Sequence, residues 1–244
     1  METEEYRRET FEPMRNVDFN KFEKVLFLSA TATDWDDSKQ AMCRLGFRGV
    51  LKEDEDARLM DFKTKVINLI DKPPLGHIYK DIIKSNDSPR EALELLKSLF
   101  ALEPHSKAIV AVGRRALVGE LAIEWNRYFN ILWIHGSLSS EEKTRRTQTF
   151  INDGSMRVLI GTKLVSEGID VKELRMVLIV DYLPQIGEYI QCAGRLRSNG
   201  FCSLVLNNDE LPSPSQRERD GSMTLGCITS QIRRFYGLSS EGEQ

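Results

Sequence analysis

The chain has 244 residues, of which 41% are hydrophobic and 29% are charged, and its formal net charge is −3; this composition is typical of a globular protein with one or two domains. It lacks the basic excess of many nucleic-acid-binding domains, although a local basic strip would suffice for such binding. It contains no segment long and apolar enough to span a bilayer and no signal peptide, so we expect an intracellular protein without a membrane partner. Its four cysteines have no metal-ligand spacing, so we expect reduced thiols and no metal site.

The amino-terminal part contains one predicted strand and one predicted helix. Residues 24–28 (KVLFL) form the strand, and a polar turn of serine, threonine and alanine follows at 29–33. A helix then extends from about Asp34 to Leu45, and Gly46 ends it. Residues 51–87 include the charge run KEDEDAR and the proline-containing DKPPLGH, which indicate a connecting segment.

From Ser88 onward, predicted helices and strands alternate. Ser88 and Glu91 form a predicted capping box, with Pro89 at the first helical position. Short apolar strands separated by helices favour a parallel sheet covered on both faces. Such sheets bind ligands beyond the carboxyl ends of their strands, so we expect the functional residues there. After residue 211 the sequence predicts a flexible connector and one short helix in CITSQIRRFYGL. The predicted strands are 107–112, 131–134, 157–161, 176–180 and 201–206, and the predicted helices after the first are 114–129, 139–152 and 188–195.

Three motifs occur in a fixed order along the chain: SAT (29–31), GTKLVSEGIDV (161–171) and YIQCAGRLR (189–197). Any one of them alone is more often an ordinary turn or a solvated helix face. Together, and with AIVAVGRR (108–115) and WIHGSLSSEEKTRR (133–146) between them, they resemble the motifs of superfamily 2 helicases. Segments along nearly the whole chain, such as DGSMRVLIGTKLVSEGID and GCITSQIRRFYGL, are similar to the helicases encoded in the subtelomeric Y′ elements of budding yeasts.

This resemblance implies an α/β fold: a RecA-like parallel sheet with helices on both faces, which is the second lobe of such a helicase, plus a small remnant of the first lobe. It divides the chain into the remnant with the SAT motif (1–50), a connector (51–87), the helicase C-terminal lobe (88–210), and a flexible connector with a short helix (211–244). It also implies a nuclear enzyme that couples ATP hydrolysis, with Mg²⁺, to the unwinding of DNA. Ser29 and Thr31 would couple the state of the nucleotide to lobe movement.

The same resemblance assigns one group of residues to the nucleotide. Arg195 is the expected arginine finger, because a guanidinium group can reach phosphate oxygens with two N–H groups, and Gln191 precedes it by about one helical turn. The family's second arginine falls at Ser198 here, so Arg197 is either a shifted finger or a weakened one. Asp170 either accepts hydrogen bonds from the ribose, orients Arg195, or is a plain turn residue. The group also includes Gly168, where the backbone can approach a ligand closely, and Gly194.

A second group is assigned to nucleic acid, and its members follow three of the predicted strands. The family contacts nucleic-acid phosphates in the loop after the strand 157–161. Backbone N–H groups at a helix start and one hydroxyl suit that task, without readout of base sequence. The loops after the two preceding strands either contact the same nucleic-acid strand or are ordinary loops. The residues are Thr162 and Lys163 after 157–161, Gly113 and Arg114 after 107–112, and His135 and Gly136 after 131–134.

The sequence has no GxxxxGK[ST] phosphate-binding loop, and no glycine in it is followed by lysine. The segment DEDA (54–57) is similar in letters to an acidic magnesium motif, but it follows the SAT motif, whereas the family's acidic motif precedes it. An exposed charge run is therefore the preferred interpretation. We expect ATP and Mg²⁺ to be held only in the intact enzyme, with the missing first lobe as a partner, and residues 1–244 alone to lack ATPase activity. The alternative is a degenerate, non-catalytic helicase-like module that binds nucleic acid or protein.

Overall fold

The computed structural model describes residues 75–162, 169–208 and 222–236 of the chain. The strands are β1 (Ile78–Ser85), β2 (Lys107–Val112), β3 (Ile131–Ile134), β4 (Val158–Gly161), β5 (Leu174–Val180) and β6 (Gly200–Asn207). The helices are α1 (Ser88–Leu102), α2 (Arg115–Trp125), α3 (Ser140–Asn152), α4 (Ile186–Ala193) and α5 (Ile228–Phe235). None of these helices is long and apolar enough to cross a membrane.

The six strands form one sheet in the order β1-β6-β5-β2-β4-β3, and all of the pairings between them are parallel. Every residue of β2 is buried, as expected of a strand in the middle of a sheet that is covered on both faces. The predicted α/β fold with a parallel sheet is therefore confirmed.

Helices cover both faces of the sheet, because consecutive side chains of a strand point to opposite sides. On one face, Val110 of β2 packs with α1 and α2 in a cluster that contains the fully buried Trp125. On the other face, Ile109 belongs to a cluster with Phe150 of α3 and Tyr189 of α4, both of which are also fully buried. The burial of an apolar side chain of this size contributes roughly 1.5–3 kcal/mol, so these clusters hold the layers together.

The helix predicted in CITSQIRRFYGL is confirmed as α5, and it packs against the rest of this fold. Ile228 and Ile232 are one helical turn apart and are buried in the same cluster as α4. Just before this helix, the backbone N–H of Met223 donates to the carbonyl oxygen of Pro184 at 2.9 Å. The chain around α5 is thereby held beside the loop that precedes α4.

The edge strand β1 lies within residues 51–87, which the sequence indicated to be a connector. It pairs with β6 over its whole length, from Ile78 opposite Gly200 to Ser85 opposite Asn207. Its sequence, IYKDIIKS, carries charges at three of eight positions, and Ile78 is its one buried residue. An edge strand tolerates such charges better than a central strand does. The domain bounds that the resemblance implies remain a prediction.

The start of α1 differs by one residue from the prediction. Asp87, and not Ser88, is the N-cap, and its side chain accepts a hydrogen bond from the N–H of Arg90 at 3.0 Å. Ser88 is the first helical residue and is fully buried, and its hydroxyl donates to the carboxylate of Asp181 after β5. The predicted cap of α3 is confirmed, because Ser139 accepts a backbone N–H from the first turn of that helix.

Two helices end earlier than predicted. The helix α2 ends at Trp125 and not at residue 129, because the chain turns there and the N–H of Tyr128 donates to the carbonyl oxygen of Trp125 at 2.9 Å. The helix α4 ends at Ala193 and not at residue 195. The N–H of Arg195 donates to the carbonyl oxygen of Cys192, three residues earlier, at 3.2 Å. Arg195 is therefore in the tight turn after α4.

Candidate functional site

The residues predicted to bind nucleic acid lie at the carboxyl end of the sheet. Strands β2, β4 and β3 are neighbours, and in their register Ala111 lies opposite Gly161, which in turn lies opposite Ile134. The loops that follow these strands therefore emerge side by side. They carry Gly113 and Arg114 after β2, His135 and Gly136 after β3, and Thr162 after β4.

Two basic side chains connect or support these loops. The Nη1 of Arg115 donates to the hydroxyl of Ser137 at 2.8 Å, which joins the loop after β2 to the loop after β3. The Nζ of Lys143 donates to the carbonyl oxygen of Gly136 at 2.9 Å. Both cations lie in the first turn of a helix that follows a strand. Sequence reasoning missed them, although basic residues at two consecutive strand-to-helix junctions are a usable signal.

His135 is held in a cationic and partly buried environment. Its ring stacks on Trp133, with the ring centroids 5.3 Å apart. The guanidinium group of Arg146, in α3, lies 3.8 Å from the centre of the Trp133 ring. It also donates to the carbonyl oxygen of Trp133 at 2.8 Å. Burial lowers the pKa of His135, and the positive charges of Arg115 and Arg146 lower it further. The imidazole is therefore neutral at neutral pH, and its buried Nδ1 has no hydrogen-bond partner among the described residues.

Gly113 is in close contact with Tyr182, which follows β5. A Cβ atom at Gly113 would lie 3.0 Å from the Cβ of Tyr182 and 3.2 Å from its Cγ. The hydroxyl of Tyr182 donates to the carboxylate of Glu188 in α4 at 3.3 Å. Burial is the main cause that raises the pKa of Tyr182, so this hydroxyl keeps its proton and remains a donor. The loop after β2 is thus connected to α4 through one side chain.

Those residues predicted to bind nucleotide that the structure describes lie at the other end of the sheet, near the starts of β5 and β6. A helix that follows a parallel strand returns the chain to the amino end of the sheet, and α4 does so between β5 and β6. Arg195 is partly buried, and its Nη1 lies 3.5 Å from the carbonyl oxygen of Ile169, shortly before β5. Gln191 is exposed on the last turn of α4, and Gly194 is its C-cap. These residues do not lie beyond the carboxyl ends of the strands, where we expected the functional residues, and their role stays a prediction.

Asp170 forms an ion pair with Arg197. The Nε of Arg197 lies 3.5 Å from the Oδ1 of Asp170, and the two side chains are 63% and 74% exposed. Ser198, at the position of the family's second arginine, accepts a hydrogen bond from Arg175 at the start of β5. The structure therefore brings Asp170, Arg195 and Arg197 together around the short segment that precedes β5.

Two arginines, Arg195 and Arg197, lie close to the segment that precedes β5. Guanidinium groups such as those of Arg195 and Arg197 suit phosphate oxygens. Within the described ranges, no group of three or more His, Cys, Asp or Glu side chains is arranged to hold a metal ion. Four of the predicted residues lie outside the described ranges, and their roles remain predictions: Ser29, Thr31, Lys163 and Gly168.

Comparison with known proteins identifies the class. Residues 91–200, which contain both groups of described site residues, match the helicase conserved C-terminal domain. The chain therefore contains a helicase C-terminal domain. It is 44% identical over 254 aligned residues to Y′ element ATP-dependent helicases of Saccharomyces cerevisiae, an alignment that covers 98% of this chain. The chain spans 18% of the length of these curated relatives.

Solved helicase structures have the same fold. The chain is similar to domain 2 of the DEAD-box helicase Mss116p bound to an RNA duplex, with a TM-score of 0.50, 20% identity, and coverage of 66% of this chain and 70% of that one. It is also similar to Mss116 bound to single-stranded RNA and UDP-BeF, with a TM-score of 0.51, 20% identity, and coverage of 68% and 36%. At this identity the likeness shows the fold alone, and the fold is that of the RecA-like second helicase domain.

Proposed function

We propose that this chain provides the second RecA-like lobe of an ATP-dependent DNA helicase, with nucleic acid bound at one end of its sheet and a nucleotide contacted at the other. The observation that carries this proposal is the side-by-side placement of the loops after β2, β3 and β4, which have basic side chains among them. A continuous phosphate backbone can run along such a row of loops.

The contacts at the carboxyl end suit phosphates and not bases. Arg114, Arg115 and Lys143 supply positive charge, and Thr162 and the backbone N–H groups supply neutral donors. Such binding is independent of base sequence and weakens as salt rises, because bound counterions are released from the phosphates. The relatives' names state ATP-dependent helicase activity, and the similar Mss116p domain is bound to RNA. We infer DNA as the substrate from the likeness to the Y′ element proteins.

At the amino end, Arg195 would approach the phosphates of ATP held mainly by another lobe. An arginine that stabilises the charge of the transition state accelerates related NTPases by roughly 10³–10⁵. Gln191 lies in the last turn of α4, shortly before Arg195, and Arg197 forms an exposed ion pair with Asp170. Mg²⁺, which neutralises phosphate charge when bound, would be coordinated by residues of the first lobe.

An ATPase assay tests whether the phosphate-binding loop must be supplied by another lobe. No glycine is followed by lysine in residues 1–244, so the amide cradle and lysine that hold ATP phosphates in this class are not encoded in them. We expect the purified chain to bind single-stranded DNA and to show no ATP turnover with or without it. Turnover that disappears in Arg195→Ala would contradict the proposal that the phosphate-binding loop must be supplied by another lobe.

A non-catalytic helicase-like module is the second candidate. The observation that favours it is Ser198 at the position of the family's second arginine, where it is bonded by Arg175. A first lobe from a Y′ element relative, added in trans, separates the two candidates. DNA-stimulated ATPase activity that requires Arg195 supports the enzyme, whereas DNA binding without any activity supports the module.

A further inference from the structure

Tyr182 contacts both of the elements that carry the proposed binding sites. Its Cβ and ring pack against the backbone of the loop after β2 at Gly113, and its hydroxyl bonds to Glu188 in α4. The helix α4 carries Gln191 and leads directly into Arg195. Tyr182 therefore joins the loop after β2 to the first turn of α4, and α4 itself runs back to the amino end of the sheet.

The segment that carries Tyr182 is held on both sides. The backbone N–H of Asp181 donates to the carbonyl oxygen of Val205 at 3.0 Å, and its carboxylate accepts the buried hydroxyl of Ser88. Asp181 has a φ of 58°, a conformation that residues other than glycine adopt infrequently. The hydrogen bonds of Asp181 to Val205 and Ser88 must maintain this conformation. Tyr182 can therefore not swing away independently when a neighbour presses on it.

The contact between Tyr182 and Gly113 leaves no room for a Cβ atom at residue 113. A methyl group in place of the glycine hydrogen would lie 3.0 Å from the Cβ of Tyr182, an atom fixed to the backbone. Close-packed contacts of this kind transmit small displacements, because neither partner can be compressed. A displacement of the loop at Gly113 therefore presses on Tyr182, and the hydroxyl of Tyr182 passes the displacement to the first turn of α4 at Glu188.

We propose that Tyr182 is a positioning residue that transmits nucleic-acid binding at the Gly113 loop to α4 and so to Arg195. The proposal rests on the proposed function, since it requires nucleic acid at the carboxyl end of the sheet. Spatial intermediacy alone does not show energetic coupling, so the test must measure the response of α4 to a ligand that binds elsewhere.

The experiment follows backbone amide resonances of the full chain as oligo(dT) is added. In the wild type we expect shifts at Gly113 and Arg114 and, in addition, at Gln191 and Arg195. Tyr182→Phe keeps the ring against Gly113 and removes the hydroxyl that bonds to Glu188. It should bind oligo(dT) as tightly as the wild type and keep the shifts at Gly113, while the shifts at Gln191 and Arg195 are lost.

Two matched variants separate coupling from a structural effect. Tyr128→Phe removes the same hydroxyl from an exposed position after α2 and should keep all the shifts. Glu188→Gln keeps an acceptor oxygen for Tyr182 and should keep the response of α4. If Tyr182→Phe retains the shifts in α4, or if the wild type shows shifts at Gly113 but none in α4, the proposal is overturned. If oligo(dT) shifts no resonance in the wild type, the proposed function itself fails and this inference fails with it.

Discussion

The ammonium group of Lys107, at the start of β2, lies 2.8 Å from the carbonyl oxygen of Asp153 at the end of α3, and it also donates to the carbonyl oxygen of Phe150. The last carbonyl groups of a helix have no partner within the helix, so a buried cation here satisfies them. Burial lowers the pKa of Lys107, and the negative charges of Glu173 and Asp153 oppose this shift.

Replacement of this lysine should destabilise the fold. Lys107→Met fills similar space but leaves the carbonyl groups of α3 without a donor, at a cost of about 2–4 kcal/mol in the free energy of unfolding. Urea unfolding of the variant measures this change. The control is Lys84→Met on the exposed side of β1, which should change stability by no more than about 0.5 kcal/mol. Equal effects of the two substitutions would contradict the capping role of Lys107.

His135 should make stability depend on pH below neutrality. Its pKa is lowered in the folded protein by burial and by Arg115, Arg146 and Lys143, whereas in the unfolded chain it is about 6.5. The unfolded state therefore binds more protons as the pH falls below about 6.5, and the free energy of unfolding decreases by up to about 1.4 kcal/mol per pH unit. Urea unfolding between about pH 7.5 and 5.5 should show this slope.

The substitution His135→Gln should flatten that slope, because the glutamine side chain does not titrate. His105→Gln is the matched control, since His105 is exposed in the loop before β2. A slope that persists in His135→Gln and disappears in His105→Gln would show that the pH response has been assigned to the wrong imidazole.

Lys143 should contribute to DNA affinity through charge. Removal of one phosphate contact in Lys143→Gln should weaken binding to single-stranded DNA and reduce the slope of log K against log salt by about 0.7, the value for one released counterion. Fluorescence anisotropy at several salt concentrations measures both quantities. Arg145→Gln removes the same charge from the same helix, but Arg145 is paired with Glu142 at 2.8 Å and should change the slope less. If Arg145→Gln reduced the salt slope more than Lys143→Gln, the phosphate backbone would run along the other side of α3.

Two glycines should respond to alanine in opposite directions. A Cβ at Gly200, where β6 begins, would lie 2.7 Å from the carbonyl oxygen of Arg175 and 2.9 Å from the Cδ2 of Leu196. Gly200→Ala should therefore destabilise the fold by about 1–3 kcal/mol. Gly119 lies within α2 with nothing within 4 Å of its missing Cβ, so Gly119→Ala should stabilise by about 0.5–1 kcal/mol. Thermal unfolding measures both, and a loss of stability in Gly119→Ala would contradict the free space seen there.

The sequence predicts the apolar strands of the sheet, including the edge strand β3, but it does not predict the charged edge strand β1. The strands β2 to β6 agree with the predicted runs within two residues at each end, because each contains a short apolar segment. The edge strand β1 was missed because Lys80, Asp81 and Lys84 interrupt its apolar pattern. The cap of α1 was displaced by one residue because Ser88 bonds to Asp181, which is distant in sequence.

The residues of the candidate site are a prediction from the sequence motifs, whereas their arrangement in space is seen only in the fold. The order of strands determines that the loops after β2, β3 and β4 lie together, and that order does not follow from local patterns. The position of Arg195 at the amino end could have been deduced, since a helix after a parallel strand must return to that end. The ion pair of Asp170 with Arg197 depends on two turns that meet only in the folded chain, so no spacing rule predicts it.

The parallel sheet also has a mechanical consequence. Its strands are close-packed on both faces, and a strand the length of β5 spans about 20 Å, so the two proposed ligands are held at opposite tips of a stiff strut. The distance between the proposed nucleotide site and the proposed nucleic-acid site is therefore fixed within the lobe. Any movement of the DNA must then come from rotation of the whole lobe as a rigid body. The length of the sheet sets how far the nucleic-acid end moves during that rotation.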